Sequence, residues 1–293
     1  MKKYTIVGIG ELLFDVFPDR KALGGAPTNF AYHCQQLGHE AISVSAIGRD
    51  TLGEEIKAEL QARQLPVILQ ETEYPTGTVQ VTLSATGSPT YEISEGVAWD
   101  HIAFTDELRA LAQRTDAVCF GSLAQRHEIS RRTILSFLKA MPEGSLRIFD
   151  INLRLQYYTR ETIHTSLEHA DILKLNDEEV PIVARLLGLE GDMEAVCRQV
   201  LSDYGLRAVI LTRGADGCSI YHEKGSVFHP SACIKVADTV GAGDSFTAGF
   251  VSALLAGKSH LEAVALATRV AAFVCSHHGA TPTLPSEYRV VEA

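Results

Sequence analysis

Residues 238–250 read Asp-Thr-Val-Gly-Ala-Gly-Asp-Ser-Phe-Thr-Ala-Gly-Phe, and they are the most informative stretch of the 293-residue chain. Glycines at 241 and 243 allow the backbone to approach a ligand closely. The first amide groups of a helix lack intrahelical acceptors and lie at the positive end of its dipole. The segment therefore predicts a strand, a glycine turn and then a helix, with an anion bound where the helix begins.

The carboxylate of Asp244 is the odd member of this segment. It would repel an anion bound at the same turn unless it acts on a neighbouring hydroxyl. A general base that takes the proton of a substrate alcohol, beside amides that hold a phosphoryl group, accounts for its presence. The alternative is that Asp244 only caps the helix and the glycines only turn the chain. The segment alone leaves both interpretations open.

Outward from this segment, short apolar runs alternate with amphipathic stretches of helical length. The alternation predicts an α/β fold with a mostly parallel central sheet. Residues 11–23 and about 74–97 break the rhythm, with turn residues such as Gly87-Ser88, so we expect a small separate sheet that forms a lid. The expected strands are Ile6–Ile9, Ala41–Ile47, Ala117–Phe120, Leu146–Ile151, Ile172–Leu175 and Ala208–Leu211, and the expected helices include Asn29–Leu37, Leu52–Gln64, Ser130–Lys139, Met193–Tyr204, Asp244–Leu255 and Leu261–Ser276.

Composition narrows the class of protein. Hydrophobic residues make up 46% and charged residues 21% of the chain, which is typical of one globular domain, here taken as residues 1–293. The formal net charge of -10 argues against nucleic acid or an acidic membrane surface as a partner. No Cys-x-x-Cys pair occurs, and no uncharged apolar run is long enough to cross a membrane. We therefore expect a cytoplasmic protein with reduced thiols.

A second glycine motif lies near the N-terminus. Residues 23–31 read Leu-Gly-Gly-Ala-Pro-Thr-Asn-Phe-Ala, and residues 36–38 and 46–50 continue it. Together with residues 238–250, this motif resembles the two signatures of the ribokinase-like, or PfkB-type, carbohydrate kinases. The resemblance covers essentially the whole chain and is closest in character to fructokinases, partly because residues 150–154 read Asp-Ile-Asn-Leu-Arg. It implies a three-layer α/β/α sandwich with a mostly parallel central sheet and a small β-sheet lid.

The resemblance assigns the N-terminal motif to the sugar. Gly24 and Gly25 would let the backbone approach it, and Asn29 would bind vicinal hydroxyls, with an N-cap of the next helix as the alternative. Asp15, placed at the end of the first strand, matches the family's acceptor for a sugar hydroxyl; a solvated turn aspartate is the alternative. Arg154 resembles an arginine near the reacting groups of fructokinases, and its alternative is a surface ion pair.

The central part of the chain is assigned to MgATP by the same resemblance. Asn176 and Glu179 match an Asn-x-x-Glu motif that helps to place Mg²⁺ and phosphate, with Glu179 acting through water. A capping box before an ordinary helix is their alternative. Thr212 and Gly214 would face the ATP phosphates and Gly217 would set the turn. A plain hairpin is the alternative here, because the residues that follow also read as a strand.

Further contacts follow from the resemblance alone. Gly243 would also contact the nucleotide, and the helix face with Ala271 and Cys275 would wall the adenine pocket, with core packing as the alternative for both. Asp238 and Val240 correspond to a monovalent-cation site, for K⁺, in some relatives. A homodimer formed through the lid is common among relatives.

These assignments predict an ATP-dependent sugar kinase, with fructose as the first choice of substrate. Asp244 would take the proton of a primary hydroxyl held above the Gly241 turn, and the amides of Ala242, Gly243 and Asp244 would stabilise the transferring phosphoryl group. Within the same class, a 2-keto-3-deoxygluconate kinase, a ribokinase or another PfkB-type kinase is the alternative, because lid residues decide the pocket. The alternative from a different class is a catalytically silent sugar or nucleotide sensor, against which the complete Gly-Ala-Gly-Asp set argues.

Overall fold

Short apolar runs form the strands of two sheets in the computed structural model of the chain, which describes residues 2–83 and 89–291. In chain order the strands are β1 (Thr5–Ile9), β2 (Leu13–Val16), β3 (Lys21–Gly24), β4 (Glu40–Gly48), β5 (Val67–Thr72), β6 (Gly77–Leu83), β7 (Pro89–Ile93), β8 (Ala117–Phe120), β9 (Leu146–Asp150), β10 (Ile172–Asn176), β11 (Ala208–Thr212), β12 (Cys218–His222) and β13 (Gly225–His229). Every residue of β1 and β8 is buried, so these strands lie in the centre of the fold. All six predicted strands are confirmed.

The central sheet has nine strands and is mostly parallel. Its order is β13-β12-β11-β10-β9-β8-β1-β4-β5, and β12 is antiparallel to both of its neighbours. The chain adds β4 and β5 on one side of β1 and then returns to add β8 on the other side. Parallel strands end at the same edge, and open α/β sheets bind ligands outside this edge where the strand order reverses. The ends of β1, β8 and β9 are therefore where a site is expected.

Helices cover both faces of the central sheet. They are α1 (Ala26–Gln36), α2 (Thr51–Ala62), α3 (Asp106–Ala112), α4 (Glu128–Ala140), α5 (Arg160–His169), α6 (Val180–Leu187), α7 (Met193–Asp203), α8 (Ala242–Leu255) and α9 (His260–Cys275). Neighbouring residues of a strand face opposite sides, so Val7 packs in the core with α3 to α7 and Ile6 packs in the core with α1, α2, α8 and α9. The predicted three-layer α/β/α sandwich is confirmed. Within the described ranges, no helix combines the length and the apolar character needed to cross a membrane.

A separate four-stranded sheet lies where the lid is predicted. Its order is β3-β2-β6-β7, with β2 and β6 parallel and both outer pairs antiparallel. The small sheet is therefore confirmed, whereas its closing over a ligand stays a prediction. Asp15 lies in β2 of this sheet and not at the end of the first strand, because β1 ends at Ile9 and the chain then leaves the central sheet. The predicted turn at Gly87-Ser88 lies outside the described residues.

The segment before the turn at Gly241 is a loop and not the predicted strand. Residues 230–237 are exposed and have no strand pairing. The amide of Ala237 instead donates to the carbonyl oxygen of Cys275 at 2.8 Å, at the end of α9. The prediction of a strand was wrong because this stretch runs along a helix end, where no neighbouring strand offers a ladder of hydrogen bonds.

Candidate active site

Helix α8 begins at the predicted glycine turn. Gly241 is its N-cap with a φ of 76°, and no side chain caps the helix. A Cβ atom at this position would lie 2.6 Å from the carbonyl oxygen of Ala280, so both the backbone conformation and the space require glycine. The amide of Ala242 donates to the carbonyl of Thr239 at 3.3 Å. The next two amides, at 243 and 244, have no acceptor within the described residues, so two of the three predicted amides are available to an anion.

Gly243 lies against a side chain that the sequence does not reveal. Its backbone does not have a positive φ, but a Cβ atom there would lie 2.9 Å from Nζ of Lys174. Lys174 belongs to β10 and extends beneath the first turn of α8. Its ammonium group therefore adds a full positive charge to the end of the helix where an anion is expected.

Asp244 and Asn29 are 215 positions apart in sequence and form a direct hydrogen bond. Nδ2 of Asn29 donates to Oδ2 of Asp244 at 2.8 Å. Asn29 lies inside α1, whose N-cap is Gly25, and Asp244 lies in the first turn of α8 without capping it. Both capping alternatives are therefore wrong, and two residues that were assigned to the sugar and to proton transfer lie in contact.

The carboxyl of Asp244 is a weaker acid than an ordinary aspartate. Burial raises its pKa to about 6, and the negative charge of Asp150 adds to the increase. The hydrogen bond from Asn29 and the positive charges of Lys174 and Arg154 oppose it. The carboxyl is therefore ionised at neutral pH but more basic than an exposed aspartate, as a general base requires.

A buried ion pair that the sequence analysis did not assign lies behind Asp244. Nζ of Lys174 donates to Oδ1 of Asp150 at 3.0 Å, and Oγ1 of Thr247 donates to Oδ2 at 2.9 Å. The two charged side chains are 9% and 7% exposed. Burial alone would lower the pKa of Lys174, but the carboxylates of Asp150 and Glu179 outweigh it and raise that pKa. The signal available in the sequence was a lysine inside the otherwise apolar strand β10.

A small cavity lies beside Asp244 at the ends of β8 and β9. Its volume is about 10 Å³, at the lower limit for one water molecule. It therefore lies at the edge of the sheet where the strand order reverses, as the topology led us to expect. Its walls are formed by Ala26, Pro27, Phe30, Cys119, Phe120, Gly121, Asp150 and Asp244.

Gly24 and Gly25 lie against two acidic residues. A Cβ atom at Gly24 would lie 2.7 Å from Oδ2 of Asp15 on the neighbouring strand. At Gly25, where φ is 123°, it would lie 2.4 Å from the carbonyl oxygen of Glu11. Packing behind the turn thus explains both glycines, and their contact with a sugar stays a prediction. Asp15 is half-buried within a strand, so the alternative of a solvated turn aspartate is wrong.

Arg154 lies in the loop after β9 and is exposed. Its positive charge lowers the pKa values of Glu11, Asp15 and Asp244, so all three carboxyls lie within its electrostatic reach. Burial has the larger effect on Asp15, whose pKa rises to about 6. In residues 2–83 and 89–291, Arg154 donates only to the carbonyl of Leu153, at 3.2 Å, and forms no ion pair. Its predicted position near the reacting groups is thus supported by electrostatics alone.

Asn176 and Glu179 bond to each other at the end of β10. Oδ1 of Asn176 accepts from the amide of Glu179 at 2.9 Å, and Oε2 of Glu179 accepts from the amide of Asn176 at 2.8 Å. The other carboxylate oxygen, Oε1, accepts from the amide of Leu153 at 2.8 Å. This reciprocal pattern is that of a capping box, as the alternative predicted. A role of either residue toward the nucleotide stays a prediction.

Magnesium fits this region only through other ligands. Both oxygens of Glu179 already accept main-chain N–H groups, and no three His, Cys, Asp or Glu side chains of the described chain converge as a metal site. Mg²⁺ keeps several waters and is commonly bound by substrate phosphates. The residues therefore fit an ion carried by the phosphates, which Glu179 would reach through water.

The β11–β12 hairpin contains Thr212, Gly214 and Gly217, so the hairpin alternative describes the local structure correctly. Thr212 lies opposite Asn176 in the neighbouring parallel strand, which places both at the same edge of the sheet. A Cβ atom at Gly217, where φ is 86°, would lie 2.4 Å from the carbonyl oxygen of His229. The predicted turn role of Gly217 therefore has a clear steric basis.

Helix α9 packs beside this hairpin. Sγ of Cys218 lies 4.0 Å from Oγ1 of Thr268, which is buried on α9. Ala271 and Cys275, further along the helix, are half-buried. The structure thus brings the hairpin and the predicted adenine wall together, while contact with adenine stays a prediction.

Asp238 holds the loop that leads to Gly241. Its Oδ1 accepts from the amide of Val240 at 3.0 Å, and its Oδ2 accepts from the amide of Gly279 at 3.1 Å. The carbonyl of Cys275 also accepts from the amide of Asp238 at 3.3 Å. These contacts place Asp238 where the loop, α9 and the C-terminal segment meet, and a monovalent cation there stays a prediction.

Comparisons with known proteins extend over the same elements. A family model described as pfkB family carbohydrate kinase matches residues 10–287. The ATP-dependent 6-phosphofructokinase of Thermoanaerobacterium thermosaccharolyticum is 29% identical over 97% of this chain and 92% of its own. Fructokinase-1 of Zea mays is 27% identical over 98% of this chain and 96% of its own.

A solved structure gives the same result in three dimensions. An uncharacterized sugar kinase from Pyrococcus horikoshii, in complex with ATP, superposes with a TM-score of 0.82 at 27% identity and covers 94% of each chain. The predicted family and fold are therefore confirmed. The chain belongs to the pfkB family of carbohydrate kinases, and it is a phosphotransferase that acts on a sugar hydroxyl.

Proposed function

We propose that this enzyme transfers the γ-phosphoryl group of ATP to a primary hydroxyl of fructose, with Asp244 as the general base. The observation that carries the proposal is the environment of Asp244. Its carboxyl has a pKa raised to about 6, accepts a hydrogen bond from Asn29, and lies in a helix turn with unpaired amides. Few structural roles need a basic carboxylate beside an anion site.

The reaction follows from this arrangement. The proton of the sugar hydroxyl passes to Asp244, and the hydroxyl oxygen bonds to the γ-phosphorus. The bond from that phosphorus to the bridging oxygen of ATP breaks, and ADP leaves. The amides of Gly243 and Asp244 and the ammonium group of Lys174 stabilise the charge that develops on the transferring group. A magnesium ion on the phosphates would neutralise part of the same charge.

The sugar is placed between Asp244 and the small sheet. Asn29 and Asp15 supply polar groups from α1 and β2, and the Gly24-Gly25 turn supplies close backbone between them. The positive charge of Arg154 lowers the pKa values of both Asp15 and Asp244. We further propose that the small sheet is the lid, with residues 1–293 as one domain. A lid that excludes water would limit wasteful hydrolysis of ATP.

The nucleotide is placed along the other strand ends. Thr212 and Asn176 lie side by side there, and Gly214 and Gly217 shape the hairpin that packs beside α9. Ala271 and Cys275 would then face the adenine, and Glu179 would act through water. Binding of K⁺ near Asp238 and Val240, a homodimer through the lid and a cytoplasmic location stay predictions from the resemblance and the composition.

Fructose 6-phosphate is the second candidate acceptor, since one relative is a 6-phosphofructokinase. The charges of the proposed sugar side argue for the unphosphorylated sugar. The carboxyls of Glu11, Asp15 and Asp244 all lie within reach of one guanidinium group, that of Arg154. A phosphate on the acceptor would meet an excess of negative charge in this region.

A panel of acceptors tests the proposal. ADP release is measured with ATP and fructose, fructose 6-phosphate, ribose or 2-keto-3-deoxygluconate. The Asp244→Asn protein, purified in the same way, measures the activity of contaminating kinases. We expect the highest kcat/KM with fructose. If another acceptor gives a higher value, that acceptor becomes the assigned substrate. If ADP release stays at background with every sugar, the proposed activity is overturned.

A further inference from the structure

Glu11 is a buried acidic residue that the reaction described above does not use. It follows β1 at the edge of the central sheet where the site lies, and it is 4% exposed. Its carbonyl oxygen packs against Gly25, and its carboxyl interacts with the backbone of Ala26. Helix α1 has no side-chain cap of its own. The carboxyl of Glu11 therefore lies at the N-terminus of the helix that carries Asn29.

One oxygen of this carboxyl has no partner. Oε2 of Glu11 is buried and accepts no hydrogen bond from any described residue. Buried acceptors in folded proteins are nearly always paired, with protein groups or with water. The charges of Arg154 and Asp244 both act on the pKa of this carboxyl, which burial raises to about 7. An unpaired acceptor thus lies in the region shared by Asp244, Arg154 and the start of α1.

We propose that Oε2 of Glu11 accepts a hydrogen bond from a non-reacting hydroxyl of the bound sugar and helps to determine which sugar is accepted. The inference rests on the sugar kinase activity and the sugar position proposed above. A polyhydroxy ligand suits the site because each hydroxyl can donate to one group while it accepts from another. Glu11, Asp15 and Asn29 then contact the sugar from three different elements, and Asp244 acts on the hydroxyl that reacts.

Glu11→Gln tests this assignment with little change in size. The variant can keep the contact at the start of α1, but it replaces a carboxylate with a neutral amide. We expect the KM for sugar to increase about tenfold, the usual effect of losing one hydrogen bond to a charged group. The KM for ATP and kcat should each change less than about threefold, since neither ATP nor the reacting hydroxyl contacts Glu11.

Substrates that lack one hydroxyl give the sharper readout. Monodeoxy analogues of D-fructose, or of the panel sugar that is phosphorylated fastest, are compared in the unaltered protein and in Glu11→Gln. One analogue should lose about tenfold in kcat/KM with the unaltered protein and lose nothing further with the variant, because the contact is already absent. Equal losses for every analogue in both proteins would overturn the inference, since a residue that only caps α1 cannot distinguish hydroxyls.

Asp116→Asn is the matched control. Asp116 lies at the opposite edge of the sheet, where its carboxylate accepts from the amide of Thr5 at the start of β1. This variant should leave the KM for sugar unchanged. If the unaltered protein phosphorylates no sugar, the proposed function fails; if it is active and Glu11→Gln behaves like Asp116→Asn, only this inference fails. Should the melting temperature show that Glu11→Gln does not fold, Glu11→Asp, which retracts the carboxylate, takes its place with the same analogues.

Discussion

Helices α1 and α8 both begin at a glycine turn without a side-chain cap, yet they differ in where their acidic group comes from. The first turn of α1 contains no acidic residue, and the carboxyl at its start belongs to Glu11 after β1. The first turn of α8 contains Asp244. A glycine turn before a helix thus indicates where a ligand can approach. In the function proposed above, the source of the carboxyl would distinguish the turn that binds from the turn that catalyses.

The two turns also need their glycines for different reasons. At α1, Gly25 is crowded by the main chain of Glu11, and Gly24 by the movable carboxylate of Asp15. At α8, Gly241 is crowded by Ala280, and Gly243 by the ammonium group of Lys174. The α8 turn therefore combines open amides with the ammonium group of Lys174, which is also paired with Asp150. The hydrogen bond from Asn29 to Asp244 joins the two helices. A substitution in one turn is therefore expected to change the properties of the other.

The largest effect is expected from removing the base at α8. Asp244→Asn should lower kcat by about 10² to 10⁴, the usual contribution of a positioned base, while binding of sugar and ATP persists. Turnover is measured by ADP release and binding by calorimetry. Glu262→Gln, which changes the first-turn acid of α9, is the control and should leave kcat unchanged. Near-normal turnover of Asp244→Asn would show that the turn before α8, like the turn before α1, only binds a ligand.

The pH dependence of turnover is the next largest effect. A base works only when it is ionised, so a pKa raised to about 6 moves the loss of activity to a higher pH than for an aspartate with the ordinary pKa of 3.8. We expect kcat/KM for the sugar, measured with ATP saturating, to fall at least tenfold per unit below about pH 6, because this ratio reports the ionisation of the enzyme before the sugar binds. A constant kcat/KM down to about pH 4 would contradict the raised pKa of Asp244.

A pair of alanine substitutions compares the two kinds of crowding at α1. Gly25→Ala forces a side chain onto a φ of 123° and toward a main-chain oxygen, whereas Gly24→Ala meets only the ends of two side chains, those of Asp15 and Leu13, which can move. We expect Gly25→Ala to lower the free energy of unfolding by roughly 1–3 kcal/mol, and Gly24→Ala by less. Urea unfolding of both variants measures the difference. Equal losses would mean that the backbone at the turn is free to adjust.

The smallest effect concerns the link between the helices. Asn29→Ala removes a hydrogen bond that lowers the pKa of Asp244, so that pKa should rise and the acidic limb of the kcat profile should move to higher pH. Turnover at pH 7 should fall roughly twofold from this cause, since part of the base is then protonated. Gln36→Ala, at the other end of α1, is the control. If the acidic limb of the pH profile is unchanged in Asn29→Ala, the hydrogen bond from Asn29 does not affect the pKa of Asp244.

Much of the fold could be predicted because its signals are local. The runs that form β1, β8 and β11 are short and apolar, and they alternate with helical segments, which is the pattern of a parallel sheet. The prediction failed where a stretch had the local character of a strand but no neighbouring strand to pair with. A strand was expected before the glycine turn at 241, but residues 230–237 run past the end of α9 and pair with no strand of the described chain.

The candidate site was predictable in its motifs and not in its supporting residues. Asp244 and Asn29 stand within glycine motifs that carry the family resemblance, so both were identified. Lys174 and Glu11 stand in or beside apolar strands, where an isolated charged residue has no motif around it. Their importance follows from burial and from the groups they approach, and neither can be read from their sequence neighbours.

The sequence by itself determined the family, the order of the elements and the positions of the two glycine turns, because a glycine turn and a helix start depend on residues a few positions apart. Only the tertiary structure decided which side chains meet. It brought Asn29 to Asp244, placed Lys174 under Gly243, and left Oε2 of Glu11 buried without a partner among the described residues. These properties come from contacts across long loops and from the removal of water, which no local pattern encodes.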